Sequence, residues 1–322
     1  MLKFFRVIFK VLGSVLCLAL VLYVVLSLGK FVIYNEYFDM ESNICVNPGL
    51  NDGFVCQGVC ASEESGKILV CGYMDDKSNS RIYVVDIETN EYYHVRLERE
   101  GKKYTGHAGG IATSGNNVYI SNGSKLYVAN LSDILAADNG GIVDIGSGVP
   151  VNNAASYVYC DENYIYVGEF HHTADGYEKE HNYDSAEGMH HAIISRYSHA
   201  DILGYDGEND PAPNKIYSVR GKVQGACFTP DGKVVLSTSY GRFNSSTIYV
   251  YNEADARNSG ETLDGAPVYV LETVVNEITA PAMSEDMDYY NGKVITLSEV
   301  ASNKYFYGKL FFANDIVGLD IK

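Results

Sequence analysis

Nine residues of this 322-residue chain have types and spacings that could do chemistry together. Gln57, His107, Asn153 and Gln224 stand near the openings of similar segments. Tyr73, Asn122, Glu169, Tyr240 and Glu299 stand where the following strand of each segment should end. Amides, an imidazole, phenols and two carboxylates converging on one axis would make a polar pocket for a small ligand or a cation. Gln57, His107, Asn153, Gln224, Tyr73 and Tyr240 form the ligand-binding set, and Asn122, Glu169 and Glu299 the metal set. The plainer reading is that such positions are polar because water fills a channel. His107 lies in Gly106-His107-Ala108-Gly109-Gly110. Flanking glycines leave its imidazole accessible as a base or ligand, although a histidine bonded to a neighbouring carbonyl would look the same. No G-x-S-x-G, P-loop or H-E-x-x-H pattern is present, so no reaction can be read from a motif.

A second group is denser. His171, His172, His181, His190 and His191 are five of the eight histidines, interspersed with Asp175, Glu178, Glu180, Asp184 and Glu187. Such a segment could bind a transition metal or change charge as the medium acidifies. Adjacent histidines on an extended strand point to opposite faces, so each doublet offers one ligand. Without a fixed spacing, a solvated polar loop accounts for the pattern equally simply. Cys45, Cys56, Cys60, Cys71, Cys160 and Cys227 permit fifteen full disulfide pairings, and buried free thiols fit the same spacing.

The elements that must position these residues repeat five times. Each copy opens with a small-residue-rich strand, turns through Asn, Asp or Gly, and continues in a period-2 strand and then a Tyr-containing one. The openings fall near 57, 107, 155, 224 and 281, and the second strands at 67–71, 117–121, 164–168, 233–237 and 293–297. A repeat of about fifty residues is that of a four-stranded blade with loops, so the expectation is an all-β propeller of five blades. Six remain open if residues 31–56 or 197–222 hide further strands. Gln57-Gly58-Val59-Cys60 and Gln224-Gly225-Ala226-Cys227 are the clearest internal match.

Residues 11–28 are uncharged and mostly Val and Leu, long enough for a membrane span. Lys3, Arg6 and Lys10 precede them and Glu36, Asp39 and Glu41 follow. That asymmetry predicts a cytoplasmic tail at 1–10, an anchor at 11–28, a linker at 29–50 and an extracytoplasmic propeller at 51–322. A cleaved signal peptide would be shorter and would end in a small-x-small site. The net charge of −17 becomes −21 once Lys3, Arg6, Lys10 and Lys30 are set aside. A domain this acidic should repel nucleic acid; the same charge also serves solubility.

With Gln57-Gly58-Val59-Cys60, Gly106-His107-Ala108-Gly109-Gly110-Ile111, Ser239-Tyr240-Gly241-Arg242 and the run from Ser298 to Tyr305 in view, residues 50–322 resemble secreted or membrane-anchored bacterial β-propeller proteins of uncharacterised function. They are more distantly similar to gluconolactonase and strictosidine-synthase-type propellers. Lactonase-type propellers hold a divalent cation on Glu, Asn and Asp ligands. The resemblance therefore implies calcium, with Asn122, Glu169 and Glu299 as the residue types that match. Two functions follow as expectations. One is a cell-surface binding or scaffold module for a glycan, peptide or partner protein. The other is a divalent-cation-dependent lactonase-type hydrolase.

Overall fold

The computed structural model describes residues 2–173, 181–305 and 314–321. Five sheets, antiparallel except for one parallel pairing at the outer side of blade 1 and one at that of blade 3, are arranged as the blades of a propeller behind one N-terminal helix. The innermost strands are Phe54–Ser62, Gly110–Ser114, Tyr157–Cys160, Val223–Phe228 and Ser284–Tyr290. Second strands at Lys67–Met74, Asn117–Asn122, Tyr164–Gly168, Lys233–Thr238 and Lys293–Ser298 follow each of them through a short turn. These runs are nearly continuous in Val, Ile, Leu and Tyr because a blade packs on both faces, leaving side chains such as Ile68, Val118, Ile165, Val235 and Ile295 without exposed surface. Each such side chain stabilises the ring by roughly 1.5–3 kcal/mol through burial.

The fourth strands are where the sequence was least legible. Outer strands meet solvent on one side and carry charged residues, as in Tyr92–Arg99 and Val274–Ala280. Lys215–Val219, inside the ambiguous stretch 197–222, is the fourth strand of blade 3 rather than part of a sixth blade. Glu41–Val46, inside the stretch expected as a linker, is the outermost strand of blade 5. It pairs antiparallel with Asp315–Leu319, so the two ends of the chain close the ring together. Neighbouring blades are also laced. Gly141–Asp144 leaves blade 2 to pair with Tyr92–Arg99 of blade 1, and the hairpin Arg257–Leu263/Ala266–Val270 extends blade 3.

The helix Leu2–Ile33 is longer than the expected anchor, and its apolar side chains are exposed. It is long and apolar enough to cross a membrane, a test that a signal sequence also passes. The helical ladder runs on past its end: the Tyr34 N–H donates to the Lys30 carbonyl and the Phe38 N–H to the Tyr34 carbonyl. The short helix Asn35–Met40 lies against the outer strands of blades 4 and 5, with Tyr34 and Tyr37 buried in their core.

Candidate functional site

Propeller blades meet at the axis, and three glycines set how closely. A Cβ on Gly58 would come within 2.7 Å of the Ile111 nitrogen, and one on Gly225 within 2.5 Å of the Asp286 Cα. Gly110 would likewise press on Tyr157 Cα at 2.7 Å. Side chains are therefore excluded at this level in blades 1, 2 and 4, and the inner strands close to backbone contact. In blade 5 the equivalent position is Asp286. Its Oδ2 accepts from the Ile111 N–H at 3.2 Å and also from Val59, tying blade 5 to blades 2 and 1 across the axis. Burial pushes this carboxyl well above the usual range.

Above this waist the axis widens into a cavity of about 500 Å³. Every blade contributes. Gln57 and Tyr73 come from blade 1, His107 and Asn122 from blade 2, and Ser156 and Phe170 from blade 3. Gln224 and Tyr240 come from blade 4, and Glu285 and Glu299 from blade 5. Of the nine residues selected from sequence, Gln57, Tyr73, His107, Asn122, Gln224, Tyr240 and Glu299 share this funnel. Asn153 and Glu169 do not. They line an adjoining cavity of about 650 Å³, where Asn153 donates to the Val167 carbonyl at 2.8 Å. Glu169 Oε1 accepts from the Ile193 N–H at 3.0 Å and meets His181 Nδ1 at 2.5 Å. The set Asn122, Glu169 and Glu299 is thus divided, because Glu169 is bonded to Ile193 of the third strand of blade 3 and to His181 instead of lining the funnel. Among the described residues, no group of three or more His, Cys, Asp or Glu side chains is arranged to hold a metal ion.

The funnel's electrostatics centre on two acids. Glu299 Oε1 accepts from the Tyr305 hydroxyl at 3.0 Å and the Tyr73 hydroxyl at 3.2 Å. Burial raises its pKa, while these phenols, Lys304 and Gln57 pull it back down. Glu285 is also buried in the wall and has no such donors to offset burial. Its pKa stands well above the ordinary carboxylate value, pushed further by Glu299 and Asp286. Two carboxyls placed so cannot both ionise cheaply. Burial raises both, and only Glu299 has phenol donors that oppose the rise. His107 packs against the Tyr73 ring at 4.8 Å between centroids, and Asn122 Oδ1 accepts its backbone N–H at 2.9 Å. Desolvation by the funnel walls, with Lys304 nearby, lowers its pKa and favours neutral imidazole.

Glu285, Asp286 and Asp288 escaped the sequence reading. Their signal was present: Glu285-Asp286-Met287-Asp288 occupies the place that Gln-Gly-x-Cys occupies in blades 1 and 4. All seven cysteines are free thiols, and the six outside the N-terminal helix are buried. The histidines of the insertion disperse to different partners. His171 stacks on His191 at 5.0 Å, His172 on Tyr240 at 3.6 Å, and His181 meets Glu169. His190 is buried, and desolvation lowers its pKa to about 4. Asp175, Glu178 and Glu180 lie outside the described residues.

No family model matches the chain, and no curated protein sequence matches it. Among solved structures it is similar to hydrazine synthase of Kuenenia stuttgartiensis, with 11% identity and a TM-score of 0.39. That match covers 75% of this chain but only 55% of the other. It is similar also to the PQQ-bound aldose sugar dehydrogenase of Streptomyces coelicolor, at 16% identity and a TM-score of 0.44 over 80% and 76% of the two chains. The calcium-binding protein regucalcin of Agrobacterium tumefaciens has 8% identity and a TM-score of 0.39 over 83% and 90%. At these identities the likeness concerns the fold alone.

Proposed function

We propose that this chain is a membrane-anchored, extracytoplasmic binding module whose funnel takes one small, hydroxyl-rich ligand such as the end of a glycan. The observation that carries this reading is the convergence of all five blades on one cavity of about 500 Å³. Cavities of roughly 300–1,000 Å³ suit a single small molecule rather than the face of a folded protein. Amides at Gln57, Asn122 and Gln224, phenols at Tyr73 and Tyr240, and the Glu285 carboxyl supply donors and acceptors of the kind that sugar hydroxyls need. Basic residues before the apolar helix and acidic ones after it support an outward-facing propeller. The excess of acidic residues disfavours nucleic acid as the partner. The test is calorimetric titration of the detergent-solubilised full chain with a panel of neutral mono- and oligosaccharides. Saturable binding that weakens about tenfold or more in Gln224→Ala is expected. If no member of the panel binds, or Gln224→Ala binds equally well, the reading fails.

A hydrolase reading rests on a separate observation, the pairing of Glu285 with Glu299. A protonated carboxyl beside an ionised one is the arrangement that general acid–base hydrolysis uses. A divalent cation is the other way to relieve their repulsion, and a lactonase-type reaction would then rest on these two acids rather than on Glu169. Turnover of aryl glycosides or lactones that disappears in Glu299→Gln, with ligand binding retained, would favour the enzyme.

A further inference from the structure

Beside the funnel, and sharing Ser239 and Tyr240 with it, lies a third cavity of about 560 Å³. Its wall has the opposite character. Arg220, Lys222, His171, His172 and His191 line it, and no described Asp or Glu does. That is unexpected in a chain with 41 acidic residues against 24 Lys and Arg. Glu187 offsets one of these charges through its ion pair with Arg220, and acids farther away count for little, because charges beyond about 8 Å are largely screened at physiological salt.

The two strong cations play different parts. Arg220 is built into the fold: its Nε donates to the Tyr251 hydroxyl at 2.9 Å, its guanidinium lies 3.4 Å from the Tyr249 ring centroid, and it is ion-paired with Glu187. Lys222 has no ion pair with any described residue; its ammonium stands 5.8 Å from the Tyr240 ring centroid. Its backbone is left-handed at φ 67°, an uncommon conformation for a side-chain-bearing residue. That conformation is held from both sides. The Lys222 N–H donates to the His171 carbonyl at 2.8 Å, and the Lys222 carbonyl accepts from the Ser239 N–H at 2.9 Å. A lysine is thus fixed in a costly backbone conformation at the edge of a cavity that offers it no carboxylate among the described residues.

We infer that this cavity binds a phosphate-class oxyanion, with Lys222 supplying the principal charge and the imidazoles and hydroxyls around it the hydrogen-bond donors. The inference does not depend on what the funnel takes. Two sources carry such a group: a free phosphoryl compound, or the headgroup of a lipid. The second is available because Ser245, in the same wall, has its hydroxyl 3.2 Å from that of Tyr34 at the root of the N-terminal helix.

The experiment titrates the detergent-solubilised full chain with inorganic phosphate, with chloride as control, and then with dihexanoyl phosphatidylglycerol and dihexanoyl phosphatidylcholine below their micellar concentrations. Saturable phosphate binding that sulfate displaces and chloride does not is expected. Lys222→Asn should weaken it about tenfold, since asparagine tolerates a left-handed backbone and the fold is kept. Should that variant misfold, His172→Gln gives the same comparison. Displacement of phosphate by the phosphatidylglycerol but not the phosphatidylcholine assigns the lipid source, and its absence assigns a free phosphoryl group. No phosphate binding, binding matched by chloride, or full affinity in a folded Lys222→Asn overturns the inference.

Discussion

The funnel floor and the basic side cavity lie at the same end of the propeller, yet they are built in opposite ways. At the floor, Asp286 is wholly removed from water and Asp288 partly so, and each gives one oxygen to a backbone N–H of another blade, Ile111 and Ala61 respectively. In the side cavity, Lys222 joins blades 3 and 4 through its backbone alone, and its side chain has no ion pair with any described residue. Chemistry and architecture are inseparable at the floor and separable at the side. Substitution should therefore move stability in one place and binding in the other.

The upper bound on that scale comes from cutting the ring itself. Deleting 41–46 removes the strand that completes blade 5 and exposes the edge of Asp315–Leu319. Thermal denaturation of this variant should show no cooperative transition; a transition at the wild-type temperature would mean that ring closure contributes nothing. Next in size is the floor. Asp286→Ala leaves the buried Ile111 N–H without this acceptor and should cost about 2–4 kcal/mol in chemical denaturation. Lys222→Asn should stay within about 0.5 kcal/mol of wild type by the same measurement. Equal losses from the two would erase the contrast. The smallest effect is a slope. Burial raises Asp288 to about 7, with the Ala61 and Tyr289 N–H bonds opposing. A carboxyl raised in the folded state binds its proton more tightly there than in the unfolded chain. Its contribution is therefore complete below the unfolded pKa, falls as pH climbs from about 4 to 7, and is flat above. Melting measured between pH 5 and 8 should show this decline by at most about 1.4 kcal/mol per pH unit, and Asp288→Asn should flatten it.

The blade pattern was legible because inner strands are buried on both faces and write their burial into the sequence as short runs of Val, Ile, Leu and Tyr bounded by turn residues. Lys233–Thr238 could be placed from those residues alone. Glu41–Val46 could not, since a lone outer strand with one wet face looks like polar linker, and its partner lies some 270 residues away in the chain. Within the site, His107, Gln57 and Gln224 were found through repeat equivalence, which works when a blade keeps the common motif. It misplaced Glu169, which stands at the equivalent strand end in a blade whose insertion draws it aside to His181. It also passed over Glu285 and Asp286, because blade 5 replaces Gln-Gly with two acids and so no longer resembles its sisters.

The short helix Asn35–Met40 has one more consequence. It starts beside Ser245, at the funnel end, and finishes where the Met40 carbonyl accepts the Asp320 N–H at the opposite end. A propeller on a flexible leash would sweep a hemisphere and meet its ligand at any height. This one has no leash, because the chain passes from the long apolar helix into packed structure within a single residue, Tyr34. On the anchored reading, the propeller is then held close to the bilayer. Anything that diffuses in the membrane plane meets it by a two-dimensional search at high effective concentration.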